Sequence, residues 1–271
     1  VTEAAEEELH RLLLAAQGRP WPAPLRRFDS IVSTSDHLKE QARAGAPEWT
    51  AVLADRQEAG RGRQGHDWVS PPGNLFLSVL VRPAPDVRAS LLPLLAGVAV
   101  AEALEERTGL SVRLKWPNDV LVGDRKIGGI LVEGSTGTAG LEWAVVGIGV
   151  NVTLRPEDLS GGLRERATSV VREAGHAVGI APLAAAILGR LALWYPARLR
   201  GDGSGVRDAW LRRSLPWWNR PVEARSGNTV VTGVARGLDE WGGLVVEQEG
   251  GALLALRCGD VREVRVTGPE P

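Results

Sequence analysis

Of the 32 Lys and Arg residues in this 271-residue chain only Lys39, Lys115 and Lys126 are lysines, and two of these fall in one short stretch. Such clustering points to a place where a compact ammonium is needed and a guanidinium does not substitute. The stretch reads Lys115-Trp116-Pro117-Asn118-Asp119-Val120, a strand running into a turn, followed by Arg125-Lys126-Ile127-Gly128-Gly129-Ile130, the start of the next strand. Asn118 offers an amide that can read a base edge, Asp119 is an acceptor or proton carrier, and Lys126 is a cation placed to approach both. The same residues also suit a plain Asn-Asp turn followed by an edge-strand charge.

A second stretch, Gly60-Arg61-Gly62-Arg63-Gln64-Gly65, fits G-x-G-x-x-G. That pattern binds dinucleotides only where a helix opens at its end, and here His66-Asp67-Trp68-Val69-Ser70-Pro71-Pro72-Gly73 follows, with no helical period. A P-loop is excluded because the Gly-Lys-Ser/Thr ending is missing. Backbone N–H groups between glycines can still converge on a carboxylate or phosphate, with Arg61 and Arg63 adding charge-assisted hydrogen bonds. A solvated surface turn is the competing explanation. Val146-Gly147-Ile148-Gly149-Val150-Asn151 reads as a buried strand whose glycines admit close approach and which ends in a polar amide. Ser33-Thr34-Ser35 supplies three hydroxyls that could bind a polar ligand or, for one of them, cap a helix from Asp36.

These segments need a scaffold. Glu3 to Ala16 has helical spacing of Leu9, Leu12 and Leu13, and Pro20, Pro22 and Pro24 then read as a linker. From Ile31 to about Trp210 strands and helices alternate. Strands are expected at Thr50 to Asp55, Leu75 to Val81, Val112 to Trp116, Gly128 to Glu133 and Trp143 to Val150, with helices at Ala89 to Arg107, closed by Gly109, and around Leu183 to Trp194. After the turn-rich Gly201 to Gly205, short β-rich runs at Pro221 to Ala224, Thr229 to Leu238, Gly243 to Gln248, Ala252 to Arg257 and Val261 to Val266 suggest a small barrel of about five strands.

A net charge of −1 gives no global reason to bind a polyanion, so any anion site must be local. No apolar run approaches the roughly 18 residues of a membrane span, and the acidic start is unlike a signal peptide, so the chain reads as cytoplasmic with no membrane partner. The lone Cys258 has no partner for a disulfide and is given no role. One N-terminal helix falls short of the about three that a winged-helix DNA-binding module needs, so no DNA partner is expected.

Taken together and in this order, Ser33-Thr34, Gln57 with the arginine-glycine loop, Trp68 with Ser70-Pro71, Lys115-Trp116-Pro117-Asn118-Asp119, Lys126 with Gly129-Ile130-Leu131-Val132-Glu133, and Gly147 to Asn151 resemble the biotin protein ligases. The likeness runs from Ser33 to Val266. Its lysine-tryptophan-proline-asparagine-aspartate segment is specific, and its glycine turns are not. The resemblance implies an α/β (α+β) catalytic domain related to class II aminoacyl-tRNA synthetases, followed by an SH3-like barrel. With the segmentation above this gives an N-terminal helix and linker over 1–30, a catalytic domain over 31–214 and a barrel over 215–271.

The resemblance also implies a reaction: biotin and ATP form biotinyl-5'-AMP, and biotin then passes to a lysine of a biotin carboxyl carrier domain. Biotin would be surrounded by Ser33, Thr34, Ser35, Gln57, Gly60, Arg61, Gly62, Arg63, Lys126 and Gly129. The nucleotide would meet Arg61, Trp68, Asn118, Lys126 and Asn151. Catalytic roles would fall to Lys126, Arg63 and Asp119, with Mg²⁺ accompanying ATP and no metal site built from the protein. Homodimerisation is compatible with the family. Ser35 stands where asparagine is usual, and His66 replaces a third loop arginine, which lowers loop charge at neutral pH. A non-catalytic biotin-binding regulator would keep the pocket but lose the cations, and Arg61, Arg63 and Lys126 are all present. A lipoate or octanoate ligase shares the fold, but its motifs are not seen.

Overall fold

A computed structural model describes residues 3–84, 88–138, 140–155, 157, 159, 161–195, 199, 203–226 and 229–263. Seven strands make the larger sheet: β1 (Leu25–Phe28), β2 (Ala51–Ala54), β3 (Leu75–Val81), β4 (Val112–Lys115), β5 (Asp119–Val122), β6 (Arg125–Gly137) and β7 (Gly140–Val150), in the order β1-β2-β3-β7-β6-β5-β4. Of these strands β1 and β2 pair in parallel and the other neighbours pair antiparallel. All seven residues of β3 are buried, because both faces of the sheet are covered. Side chains alternate along it: Leu75, Leu77, Val79 and Val81 enter the main core, while Leu80 joins Leu38, Ala42 and Val52 beneath α2 (Thr34–Arg43). Ser78 shares the α2 side of that alternation and is fully buried there.

The main core lies under α3 (Leu92–Thr108) and α6 (Ile180–Trp194). Helix α3 ends at Gly109, whose φ of 70° is the left-handed conformation of a helix stop. Helix α1 (Glu3–Gln17) packs on α6 through Leu9 and Leu13, both fully buried. The single turns α4 (Leu163–Arg166) and α5 (Val170–Ala174) follow β7, and α7 (Ser204–Arg213) leads toward the second sheet. There β8 (Pro221–Ser226), β9 (Thr229–Leu238), β10 (Leu244–Glu247), β11 (Leu253–Leu256) and β12 (Asp260–Glu263) pair antiparallel in the order β11-β10-β9-β8-β12.

The two sheets share one apolar core, since Val222, Ala224, Ala235, Leu244 and Val261 belong to the same buried cluster as Leu114 and Trp116. Polar ties reinforce the join: Trp116 Nε1 donates to Gly242 O at 3.0 Å, and Lys115 Nζ lies 2.9 Å from Asp260 Oδ1.

Two sequence expectations change. Leu25–Phe28, read as linker, is the edge strand β1; its Arg26 and Arg27 broke the apolar pattern, yet they bond Glu6 and Asp55. Asp119, read as a turn residue, already begins a strand, because β4 and β5 fold back within three residues and pair Lys115 with Asp119. Gly201 and Asp202 of the expected break, and Thr267-side residues 264–266 of the last expected strand, lie outside the described residues. Among the described residues no helix is long and apolar enough to cross a membrane.

Candidate active site

At one end of the site a chain of neutral groups threads between α2, β3 and the start of the arginine-glycine loop. Ser33 caps α2, its Oγ accepting from Asp36 N at 3.3 Å, so the helix-cap reading describes its hydroxyl. Thr34 and Ser35 enter the first turn and are buried. Gln57 Oε1 accepts from Thr34 N at 2.9 Å and Thr34 Oγ1 at 3.0 Å. A backbone N–H can only donate, so this contact fixes which end of the amide faces Thr34. The other end, Nε2, donates to Ser70 Oγ at 3.1 Å, and Ser70 donates to Trp68 O at 2.8 Å. Having given its proton to Gln57, Thr34 Oγ1 accepts from Ser78 Oγ at 2.9 Å, which leaves Ser35 to donate to Ser78 at 3.0 Å. Ser70 and Ser78 were not among the predicted site residues. A serine inside the otherwise apolar Leu75–Val81 was the one signal for Ser78.

The loop itself is a small closed hairpin. Arg61 and Asp67 form a β-bridge, Gly62 N donates to His66 O at 2.7 Å, and Trp68 N donates to Gly60 O at 2.9 Å. A side chain at Gly60 would strike the Ser70 hydroxyl and Trp68 O, so the loop can close this tightly only over glycine. Arg63–Gly65 forms a single 3-10 turn and no helix opens after it, in line with rejecting a dinucleotide fold. The two arginines reach in different directions. Arg61 Nε donates to Asp36 Oδ2 at 2.6 Å, on α2; Arg63 Nη1 donates to Asn118 Oδ1 and to Gly259 O, both at 2.9 Å. Gly259 belongs to the barrel, and nothing in the sequence linked it to a residue 196 positions away.

Trp68 lies on a flat place in the sheet made by Gly129 of β6 and Gly149 of β7, which face each other in register. A Cβ on Gly149 would stand 2.6 Å from the indole, and one on Gly129 would stand 3.0 Å from it. The indole Nε1 is buried with no hydrogen-bond partner. Lys126 Nζ stands 5.3 Å from the centre of the Trp68 ring and 2.6 Å from Asp119 Oδ1. Asn118 completes the group: Nδ2 donates to Ile130 O at 2.9 Å while Oδ1 takes Arg63. Asn151 is joined indirectly. Its Nδ2 donates to Thr168 O at 3.0 Å, and Thr168 N donates to Lys126 O at 2.9 Å.

The fold thus brings Thr34, Ser35, Gln57, Gly60, Arg63, Trp68, Asn118, Asp119, Lys126 and Gly129 into one connected place, with Ser33 turned to its cap and Arg61 drawn to Asp36. Burial pushes the Asp36 carboxyl upward, but the Lys39 ammonium and Arg61 guanidinium outweigh it and hold the group below its ordinary value. Among the described residues no group of three or more His, Cys, Asp or Glu side chains could hold a metal ion. Such a site has neutral donors and acceptors at one end and cations beside an aromatic face at the other. It suits a ligand with a polar uncharged part at one end and an anionic group at the other.

Known proteins resemble this chain in sequence and in fold. Residues 28–151 match the Biotin/lipoate A/B protein ligase family, and residues 218–268 match the Biotin protein ligase C terminal domain. The biotin–[acetyl-CoA-carboxylase] ligase of Paracoccus denitrificans is 36% identical over 84% of this chain and 94% of its own length. That of Mycobacterium tuberculosis is 32% identical over 96% of both chains. Among solved structures, the biotin protein ligase from Aquifex aeolicus in complex with biotin and ATP superposes with a TM-score of 0.77 at 30% identity, covering 89% of this chain and 99% of that one.

Proposed function

The chain belongs to the biotin protein ligase family, and we propose that it joins biotin to ATP as biotinyl-5'-AMP and then passes biotin to a lysine of a biotin carboxyl carrier domain. The observation that carries this reading is the Lys126–Asp119 pair at 2.6 Å beside the Trp68 face, with Arg63 fixed next to it through Asn118.

Adenylation sets a carboxylate against the α-phosphate of ATP, two anions that repel unless donors and cations surround them. Lys126 and Arg63 supply the charge. One carboxylate oxygen of biotin forms the new bond to phosphorus as the bond to pyrophosphate breaks, and Lys126 stabilises the charge on the transferring group. Trp68 and Asn118 take the nucleotide, with Asn151 behind them, and the Thr34–Gln57 pair takes the uncharged ring system of biotin. In the second step the carrier amine attacks the acyl carbonyl, AMP leaves, and the amine loses a proton. The short contact with Lys126 favours Asp119 as the group that aims the ammonium rather than the one that receives this proton. Mg²⁺ accompanying the triphosphate would offset phosphate charge and would need no protein cage of its own.

The test is direct: incubate the protein with biotin and labelled ATP, look for biotinyl-AMP, then add an apo carrier domain. Adenylate followed by a mass gain on the carrier lysine supports the reading. Tight biotin binding without adenylate rejects it in favour of a sensor. Asp119→Asn should slow both half-reactions alike; a variant that adenylates normally and transfers slowly would return Asp119 to the role of base.

A further inference from the structure

Three side chains tie the arginine-glycine loop to the body of the protein. Trp68 lies on the sheet, Arg63 reaches Asn118 and the barrel, and Arg61 reaches Asp36. The third tie has no part in the chemistry described above. Asp36 stands in the first turn of α2, next to the buried Thr34 and Ser35, and both its oxygens are occupied: Oδ2 by Arg61 Nε at 2.6 Å and Oδ1 by Lys39 Nζ at 2.8 Å. Lys39 also bonds Glu133 Oε1 of β6 at 2.9 Å. The second Glu133 oxygen is buried without a hydrogen-bond partner, which ties this carboxylate's neutralisation to Lys39.

Lys39 is one of three lysines in a chain that otherwise uses arginine, and its tetrahedral ammonium serves two carboxylates on two elements at once. An exposed arginine–aspartate pair alone holds little, because two free side chains must be ordered to make it. Here one partner is already fixed. The Lys39 side chain is 14% exposed and Asp36 25%, against 56% for Arg61, so closing the tie orders only the arginine and the loop it belongs to.

We propose that Asp36 is a positioning residue for adenylate retention: held by Lys39 and Glu133, it latches the loop through Arg61 and slows escape of the acyl-adenylate, a role that rests on the ligase reading above. A reactive mixed anhydride needs such shelter until the carrier lysine arrives, since open solvent would carry it off or hydrolyse it.

The experiment compares release of biotinyl-AMP, trapped in solution by an added free amine, with its formation on the enzyme. Asp36→Asn keeps the shape and removes the charge. It should release adenylate about tenfold faster while forming it within about threefold of the unaltered rate, and Asp36→Glu should recover part of the loss. Combining Asp36→Asn with Arg61→Gln should release no faster than the faster single variant, because both remove one tie. Lys39→Met gives a second handle should Asp36→Asn melt early, and it should also speed release. Unchanged release in both Asp36→Asn and Lys39→Met, or additive effects of the Asp36 and Arg61 variants, overturns the latch while leaving the ligase intact. An unaltered protein that makes no biotinyl-AMP takes both down.

Discussion

The two ends of the site are built on opposite principles. At the Gln57 end, Ser35, Ser78, Thr34, Gln57 and Ser70 form a neutral chain in which each hydroxyl and amide has a partner within 3.1 Å. At the Lys126 end the groups are charged and partly exposed, 34% for the lysine side chain and 21% for Asp119, and the barrel's Gly259 O accepts one hydrogen bond from Arg63. A satisfied neutral network is stiff, and losing a member leaves a buried polar group unpaired whether or not a reaction is under way. Exposed ions cost less to keep and gain most when new charge develops beside them. On the proposed function the first end would serve recognition and the second catalysis, and each should be breakable separately.

The largest effect should come from the charged end. Lys126→Ala should slow adenylation by roughly 10²–10³-fold, as loss of a single transition-state donor does, while biotin affinity changes much less. Pyrophosphate release at saturating biotin and ATP measures it; a rate within a few-fold of the unaltered protein would remove Lys126 from the chemistry.

Thr34→Val tests the other end. It keeps the shape and removes the hydroxyl between Ser78 and Gln57, so Ser78 loses its acceptor while Gln57 Oε1 keeps only the Thr34 backbone N–H. An unpaired buried group costs the fold about 1–3 kcal/mol, and a Gln57 amide no longer held by the Thr34 hydroxyl should weaken biotin binding by about tenfold while kcat at saturation holds. A fall in kcat with unchanged KM would show that recognition and chemistry are not divided as drawn.

Gly149→Ala should act between the two. Its added carbon would meet the Trp68 indole at 2.6 Å, against 3.0 Å for Gly129→Ala, so the first should disturb the tryptophan more. We expect KM for ATP to rise by about tenfold, with a smaller rise for Gly129→Ala. Equal effects, or none, would mean that the indole does not need this flat place to meet the nucleotide.

What the sequence revealed divides along the same line. The charged end was legible because its residue types are rare in this chain and lie close together, Lys115 to Asp119 and then Lys126. The neutral end was half legible. Ser33-Thr34-Ser35 and Gln57 stood out through their order along the chain, but Ser78 is one hydroxyl in a buried strand, and only the alternation of β3 beneath α2 brings it to Thr34. Contacts between distant segments left no local trace: Gly259 O beneath Arg63, Gly242 O on Trp116 Nε1, and Asp36 beneath Arg61. Strand β1 escaped because its two arginines face partners contributed by α1 and by the residue after β2. Elements with an uninterrupted pattern, such as β3 and α3, were read within a few residues of their bounds.

The smallest predicted effect concerns the ions between α2 and β6. Asp36 is held below its ordinary value of 3.8, so the stability it adds is present above that pH and is lost as pH falls through its lower folded value. For Lys39, burial lowers the ammonium's proton affinity, but Asp36 and Glu133 outweigh it and hold the group above 10.5; its contribution is complete below that value and fades as pH climbs through the higher folded one. Between these limits the pair contributes fully. Asp36→Asn should therefore lower Tm at neutral pH and lower it less in acid well below 3.8, where the native carboxyl is protonated too. Partial exposure and salt screening keep the difference to about a degree or two. The neutral chain has no group that titrates in this range, so the Tm deficit of Thr34→Val should stay level over the same acid titration. Parallel curves for the two variants would mean that the Asp36 ions add nothing to the folded state beyond their shape, and that the charged and neutral supports of the site are alike in acid.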